Sequence, residues 1–227
     1  PGFPIYQSVI EFTGARAVPV RLLEENDFSL DADTILSQIT ENTRLLILNS
    51  PANPTGGAAS KSEMDRLVSG LTDMHPQVAV LSDEIYSQYV KSSWKSILRY
   101  SYEKSIVTQS FSKSHAMTGF RIGYGIADIE IIEKMVKLQA LCLTNVSEPI
   151  QYVAMKALEA NTSNNTNTIQ NRLDVLVQKA KEMGLDFVIP DGAMYLFARV
   201  NQDGFDGVQF ANSTLEKGLA VAPGEGF

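Results

Sequence analysis

The chain has 227 residues, of which 44% are hydrophobic and 20% are charged, the balance of an ordinary globular protein. Its 19 basic and 26 acidic residues give a net charge of −7, which argues against a nucleic-acid-binding surface. The sequence holds no run of about 18 apolar residues that could span a membrane. No charged and then apolar leader opens the chain, so we expect a cytoplasmic protein.

The first half of the chain predicts strands that alternate with helices. Four short apolar runs are typical of buried strands, at residues 45–48, 78–81, 105–108 and 122–126. Ser60 and Glu63 fit a capping box ahead of apolar residues with helical spacing. This order indicates an α/β domain with a largely parallel sheet. The last strand follows the third without a helix between them, so we expect one antiparallel member.

The character of the sequence changes after Asp128. Residues 129–143 predict a helix that carries Cys142 on its apolar face, and a second helix begins at Pro149. The next segment, residues 161–168, consists of Asn, Thr and Ser, a composition that predicts an exposed loop.

The C-terminal part predicts a smaller α+β unit. An apolar face over residues 169–180 indicates a helix that ends at Gly184, and a two-strand pattern follows at 187–190 and 194–198. We therefore divide the chain into a major domain over 1–145 and a second part over 146–227. The second part comprises an interdomain helix and a partial small α+β domain.

One segment combines a lysine with hydroxyl and guanidinium groups. Residues 110–113 read Ser-Phe-Ser-Lys, and residues 116–123 read Ala-Met-Thr-Gly-Phe-Arg-Ile-Gly, directly after the third predicted strand. An amine held there can form an imine, while the serine hydroxyls and the guanidinium can hold a phosphate. Pyridoxal 5'-phosphate (PLP) is a small cofactor that needs both at once. The segment therefore predicts a PLP site around Lys113.

Polar residues after the other predicted strands offer the remaining groups that PLP requires. Asn53 follows the first strand, and Asp83 and Tyr86 follow the second. A carboxylate keeps the pyridine nitrogen protonated, and donors to the ring hydroxyl tune the proton affinity of the imine. Ligands of open α/β sheets bind at the carboxyl ends of strands, so we expect these residues to converge. None is specific alone; their conjunction in this order carries the prediction, and no metal site is predicted.

These motifs resemble those of the class I/II aminotransferases, which are fold-type I PLP enzymes. The resemblance covers essentially the whole chain and is carried by residues 1–6, 53–56, 82–86 and 110–123. It is greatest for the aspartate aminotransferase-like branch common in prokaryotes. It implies a three-layer α/β/α major domain with a mostly parallel sheet, plus part of a smaller α+β C-terminal domain.

The resemblance also implies roles for the residues that carry the chemistry. Lys113 would form the internal aldimine and, once freed, move a proton between Cα and C4'. Asp83 would pair with the pyridinium nitrogen, and Tyr86 and Asn53 would hydrogen-bond the phenolic oxygen of the ring.

Further residues would hold the phosphate and the ring. Ser110 and Arg121 match phosphate ligands, with Ser112 a weaker candidate, and Phe3 matches the aromatic residue that stacks on the ring. Tyr195 could approach the cleft from the C-terminal part, but it is not a predicted site residue. The expected substrates are an amino acid and a 2-oxo acid, which react in a ping-pong cycle.

Members of this family are longer than 227 residues and form homodimers with sites at the subunit interface. We therefore interpret the chain as a fragment, without part of the phosphate-binding region and without the arginine that grips the substrate α-carboxylate. Two alternatives stay open. The chain could belong to another fold-type I PLP enzyme, such as a β-lyase, decarboxylase or synthase, or to a truncated, weakly active or inactive aminotransferase-like protein. A regulator is disfavoured because no helix-turn-helix pattern accompanies this acidic chain.

Overall fold

A computed structural model describes residues 1–227, and its centre is a four-stranded mixed sheet. The strands are β1 (Leu45–Asn49), β2 (Ala79–Asp83), β3 (Ser105–Ser110) and β4 (Gly123–Ile126), in that spatial order. The first three strands run parallel, and β4 pairs antiparallel to β3. The predicted strands and the single antiparallel member are confirmed.

Eight α-helices and a small second sheet complete the fold. The helices are α1 (Ile5–Phe12), α2 (Ala32–Gln38), α3 (Lys61–Met74), α4 (Phe111–Ser114), α5 (Ile129–Leu143), α6 (Glu148–Leu158), α7 (Ser163–Glu182) and α8 (Gly207–Glu216). The second sheet pairs β5 (Asp186–Phe187) with β6 (Ala198–Arg199) in antiparallel orientation. None of these helices has the length and apolar character needed to cross a membrane. The division of the chain at residue 145 stays a prediction.

The main core lies where α2 and α3 pack on the sheet. Leu67 and Leu71 of α3 and Val80 of β2 are completely buried there, and Ile35 of α2 is nearly so. Burial of each such side chain stabilises the fold by about 1.5–3 kcal/mol. Because strand side chains alternate between faces, this packing leaves the last residue of β2, Asp83, on the opposite face from Val80.

The start of α3 departs from the predicted capping box. The Ser60 hydroxyl accepts a hydrogen bond from the Glu63 amide at 3.2 Å, as expected. The Glu63 carboxylate does not return to Ser60; it accepts a hydrogen bond from the Ala32 amide at 2.8 Å. Glu63 therefore ties the first residue of α2 to α3, and a tertiary contact replaces the local one.

The prediction of a loop at 161–168 is wrong for most of that segment, because α7 begins at Ser163. The Asn161 side chain accepts a hydrogen bond from the Ser163 amide at 2.9 Å, which satisfies one of the free donors of the first turn. The Thr162 hydroxyl donates to the Gln88 side chain at 2.7 Å. These contacts fix the helix start and override the low helix propensity of the segment.

Two smaller expectations are also corrected. Cys142 is exposed, since α5 buries none of its residues. The two predicted C-terminal strands shrink to two residues each, because the chain between them bends back onto the first part of the protein. There the amides of Asp191 and Gly192 both donate to the Gly56 carbonyl, at 3.1 and 2.9 Å.

Glu84 follows β2 and lies in the interior, with only 1% of its surface exposed. One carboxylate oxygen accepts three hydrogen bonds, from the hydroxyls of Ser82 and Ser96 at 3.0 Å and from the Ile97 amide at 3.1 Å. Burial nevertheless raises the pKa of this carboxyl above its ordinary value, because the three donors compensate only in part. Glu84 shares none of these partners with Asp83, which strand alternation places on the other face.

The raised pKa of Glu84 makes stability depend on pH in a defined direction. The protonated form is favoured in the folded state, so its contribution is fully present below the ordinary glutamate pKa of about 4.3 and is lost as pH rises through the folded value. Glu84→Gln mimics the protonated acid and keeps the acceptor oxygen. Urea unfolding from about pH 4 to about pH 8 should therefore show that the free energy of unfolding falls more with pH in wild type than in Glu84→Gln.

Glu84→Ala is the matched control for the hydrogen bonds. It leaves three buried donors without an acceptor and should lower the free energy of unfolding by about 3 kcal/mol at about pH 4, with a smaller difference from wild type as pH rises. Parallel pH profiles for wild type and Glu84→Gln would contradict the assignment of a raised pKa to Glu84.

Candidate functional site

Three neighbouring parallel strands end in polar residues at one edge of the sheet. Asn49 ends β1, Asp83 ends β2 and Ser110 ends β3. Asn49 and Asp83 are register partners, as are Asp83 and Thr108, so these three side chains project from the same face. Ser110 lies two residues beyond Thr108 and shares that face. The carboxyl edge of the sheet therefore gathers an amide, a carboxylate and hydroxyls in one place.

The Asp83 carboxylate is held from the N-terminal segment. The Tyr6 hydroxyl donates to one carboxylate oxygen at 2.6 Å, and the Ile85 amide donates to the other at 3.4 Å. The Asn49 side chain donates to the Asp83 carbonyl at 3.3 Å. Burial, reinforced by the nearby Asp83 charge, raises the pKa of Tyr6 well above its ordinary range. Tyr6 therefore stays protonated and remains a donor to the carboxylate.

Phe3 and Asn53 reach this cluster through neighbours. The rings of Phe3 and Tyr6 meet edge to face, with centroids 5.8 Å apart, and Phe3 remains 39% exposed. The Asn53 amide donates to the Asn49 side chain at 2.9 Å, in a turn that contains two cis X–Pro peptide bonds. Phe3 therefore contacts Tyr6, and Asn53 contacts Asn49. Tyr6 and Asn49 each form a hydrogen bond with Asp83.

Lys113 lies on α4, the four-residue helix that follows β3. Tyr89 is almost completely buried, and its hydroxyl donates to the Lys113 carbonyl at 2.7 Å. The Asn165 side chain of α7 donates to the next carbonyl, that of Ser114, at 3.4 Å. The Ala116 amide also donates to the Lys113 carbonyl, at 3.1 Å, and together these contacts fix the backbone that carries the lysine.

The two predicted serines lie at the start of α4. The Ser110 hydroxyl accepts a hydrogen bond from the Ser112 amide at 3.1 Å and donates to the Ser112 hydroxyl at 3.0 Å. It is also 3.2 Å from the Ile122 carbonyl, another acceptor. The two serine hydroxyls are therefore adjacent, and Ser112 directly precedes Lys113.

Arg121 is brought near the serines by its backbone. The following residue, Ile122, accepts a hydrogen bond from the Phe111 amide at 3.4 Å, so the chain at 121–122 lies beside the start of α4. Arg121 has a left-handed backbone conformation with φ of 52°. Its guanidinium is exposed and donates to the Thr118 carbonyl at 2.9 Å. A backbone carbonyl is a weaker partner for this cation than an anion placed beside the serines.

Tyr86 is buried and contacts a residue from the C-terminal part of the chain. Its hydroxyl lies 2.5 Å from that of Tyr195, and the two rings meet edge to face with centroids 5.5 Å apart. Burial, followed by this hydrogen bond, raises the pKa of Tyr86 well above its ordinary range. Tyr195 thus approaches Tyr86 from the C-terminal part of the chain.

Three residues at the site had no assigned role in the sequence prediction: Tyr6, Asn49 and Tyr195. Tyr6 lies three residues after Phe3, and Asn49 is the polar residue that ends an apolar strand. Either pattern could have indicated these residues from the sequence alone. The contact of Tyr195 with Tyr86 joins residues 109 positions apart, and no local pattern reports it.

An open, mostly parallel sheet with an amine, a carboxylate and hydroxyls along its carboxyl edge defines a ligand-binding α/β protein. The chain belongs to the aminotransferase class I and II family, whose model matches residues 1–227. It is 35% identical over 237 residues to an aspartate aminotransferase of Pyrococcus abyssi, covering all of this chain and 60% of that protein. It is also 35% identical over 236 residues to a probable N-acetyl-LL-diaminopimelate aminotransferase of Bacillus subtilis, covering 58% of it.

Solved structures give the same assignment. The crystal structure of aspartate aminotransferase from Thermotoga maritima superposes with a TM-score of 0.92 at 31% identity, covering 100% of this chain and 60% of that one. The aromatic aminotransferase of Pyrococcus horikoshii superposes with a TM-score of 0.91 at 33% identity, covering 100% and 63%. The predicted fold class is confirmed. The chain spans about 60% of the length of the curated aspartate aminotransferases it matches.

The Tyr6 contact should control the order of α1, because this helix buries none of its residues completely. Tyr6→Phe removes a hydrogen bond to a carboxylate, which is worth about 1.5–3 kcal/mol. Hydrogen exchange should then be at least about tenfold faster at the amides of α1 than in wild type. Tyr152→Phe, at a tyrosine that is 61% exposed, is the matched control and should change nothing. Unchanged exchange in Tyr6→Phe would mean that α1 is held by other contacts.

Proposed function

We propose that this chain is the cofactor-binding part of a PLP-dependent aminotransferase. The enzyme would move an amino group between an amino acid and a 2-oxo acid in two half-reactions. Membership of the aminotransferase class I and II family supports the reaction class. The named relatives act on different amino acids, so the proposal stops at the class of substrate.

One observation carries the proposal: the last residues of β1, β2 and β3 present an amide, a carboxylate and a hydroxyl along one edge, and Lys113 follows directly. The chemistry of this set fits PLP. A pyridinium nitrogen needs a carboxylate, an aldehyde needs an amine, and a phosphate needs hydroxyl and guanidinium donors. When bound, the cofactor supplies an electron sink for negative charge at the substrate Cα.

The proposed roles at the ring end follow from the contacts of each side chain. The Asp83 carboxylate would accept a hydrogen bond from the protonated ring nitrogen, while Tyr6 orients the carboxylate from the other side. Tyr86 and Asn53 would donate to the ring oxygen. The Lys113 amine would hold the cofactor and, when released, would take a proton from the substrate Cα and deliver it to C4'. The Tyr89 hydroxyl supports this role because it fixes the Lys113 backbone.

The proposed roles at the phosphate end need one rearrangement. Ser110 and Ser112 already have adjacent hydroxyls, and both would turn their protons toward the phosphate. Arg121 would exchange the Thr118 carbonyl for the phosphate, a stronger, charge-assisted partner. Phe3, which is partly exposed beside Tyr6, would cover one face of the ring.

We further propose a homodimer in the cytoplasm, on the basis of the family resemblance. Support for burial by further protein comes from α5, whose apolar side chains Val136, Leu138, Leu141 and Leu143 are each at least 60% exposed. Exposed apolar side chains in this number on one helix are typical of a surface that another protein segment or subunit covers.

Lys113→Ala tests the proposal. Wild-type protein mixed with PLP should develop a visible absorbance band, and Lys113→Ala should not develop it. Amino-group transfer should fall by about 10²–10⁴-fold, because the base at Cα is lost. Lys181→Ala, at an exposed lysine of α7, is the matched control and should behave as wild type.

The second half of the experiment separates the reaction classes. Addition of an amino acid to the wild-type protein with bound PLP should convert the cofactor to pyridoxamine 5'-phosphate, identified by mass spectrometry. A band that does not depend on Lys113 would refute the cofactor site. A Lys113-dependent band without pyridoxamine 5'-phosphate, across aspartate, aromatic and diamino acids, would refute amino-group transfer.

A further inference from the structure

Tyr86 and Tyr195 form an isolated pair of hydroxyls inside the protein. Their oxygen atoms lie 2.5 Å apart, and both rings belong to a small apolar cluster with Tyr89 and Ala193. Tyr86 is only 4% exposed. A hydroxyl carries one proton, so one member of the pair donates to the other and the donor's proton is used up.

The segment that carries Tyr195 is fixed against the first part of the chain. The Lys91 amide donates to the Asp191 carbonyl at 2.7 Å, and the Gly56 carbonyl accepts from two amides of the segment. A Cβ at Gly192 would lie 2.8 Å from the Pro51 side chain, and one at Gly56 would lie 2.4 Å from that of Pro190. The backbone therefore approaches too closely for larger residues, and Tyr195 has a defined position over Tyr86.

The two possible directions of the hydrogen bond differ in what they leave for a ligand. If Tyr86 donates to Tyr195, Tyr86 can only accept from the site. If Tyr195 donates to Tyr86, the Tyr86 proton points outward and is available to an acceptor in the site. Hydrogen bonds in a chain polarise one another, so a Tyr86 that accepts from Tyr195 is also a stronger donor.

We infer that Tyr195 is a positioning residue that donates to Tyr86 and thereby directs the Tyr86 proton onto the ring oxygen of the cofactor. This inference rests on the proposed function, because it takes Tyr86 as the donor to that oxygen. The hydrogen bond of the Tyr195 hydroxyl goes to Tyr86, so the effect of this hydroxyl on the cofactor passes through the Tyr86 hydroxyl.

The pH midpoint of the visible band tests the inference. A hydrogen-bond donor to the ring oxygen makes that oxygen a weaker acceptor for the proton whose loss changes the band. Without the donor this proton is held more tightly, so the pH midpoint of the band rises. Tyr86→Phe should give the larger rise, and Tyr195→Phe should raise the midpoint by about 0.5 pH unit. The double variant should match Tyr86→Phe alone, because Tyr195 has no other route to the cofactor.

Tyr102→Phe is the matched control, since its hydroxyl is also buried and donates to the Val78 carbonyl away from the site. It should leave the midpoint unchanged. A wild-type midpoint in Tyr195→Phe would overturn the inference, and so would a Tyr195→Phe shift that persists in the Tyr86→Phe background. Absence of any Lys113-dependent band in wild type would instead refute the proposed function, and this inference with it.

Discussion

Parallel pairing of β1, β2 and β3 is the constraint on which the rest of the structure depends. Parallel strands all end at the same edge of a sheet, and each return crossing requires a connection long enough to hold a helix. In this chain the crossing between β1 and β2 is α3, whose buried leucines build the main core. The same connectivity that creates the core therefore also brings Asn49, Asp83 and Ser110 to one edge.

Tyrosine hydroxyls hold the site together over long distances in sequence. Tyr6 reaches Asp83 across 77 residues, Tyr89 reaches the Lys113 carbonyl across 24, and Tyr195 reaches Tyr86 across 109. A tyrosine suits this task because its ring packs in an apolar cluster while its hydroxyl satisfies a polar group. Rigid aromatic side chains thus position the polar groups of the site on a scaffold that is otherwise held by aliphatic packing.

Local patterns predicted the strands and the chemically distinctive residues. Continuous apolar runs located all four strands of the main sheet within a few residues, and the Ser-Phe-Ser-Lys segment singled out Lys113. Contacts between distant segments were not predictable in this way. The hydrogen bond of Glu63 to Ala32 replaced a capping box, and contacts of Asn161 and Thr162 turned a polar segment into the start of α7. In each case a tertiary partner changed the outcome that local propensity favoured.

Asp83 and Glu84 illustrate how the sheet gives two neighbouring carboxyl groups different environments. Strand alternation sends them to opposite faces. Asp83 accepts hydrogen bonds at the open edge, where a cationic partner can approach, whereas Glu84 is enclosed and organises the segment at Ser96 and Ile97. Burial raises the pKa of Glu84, and its three hydrogen-bond donors, at Ser82, Ser96 and Ile97, are not shared with Asp83. The adjacent pair therefore presents one carboxylate to the site, and the second residue stabilises the fold from behind it.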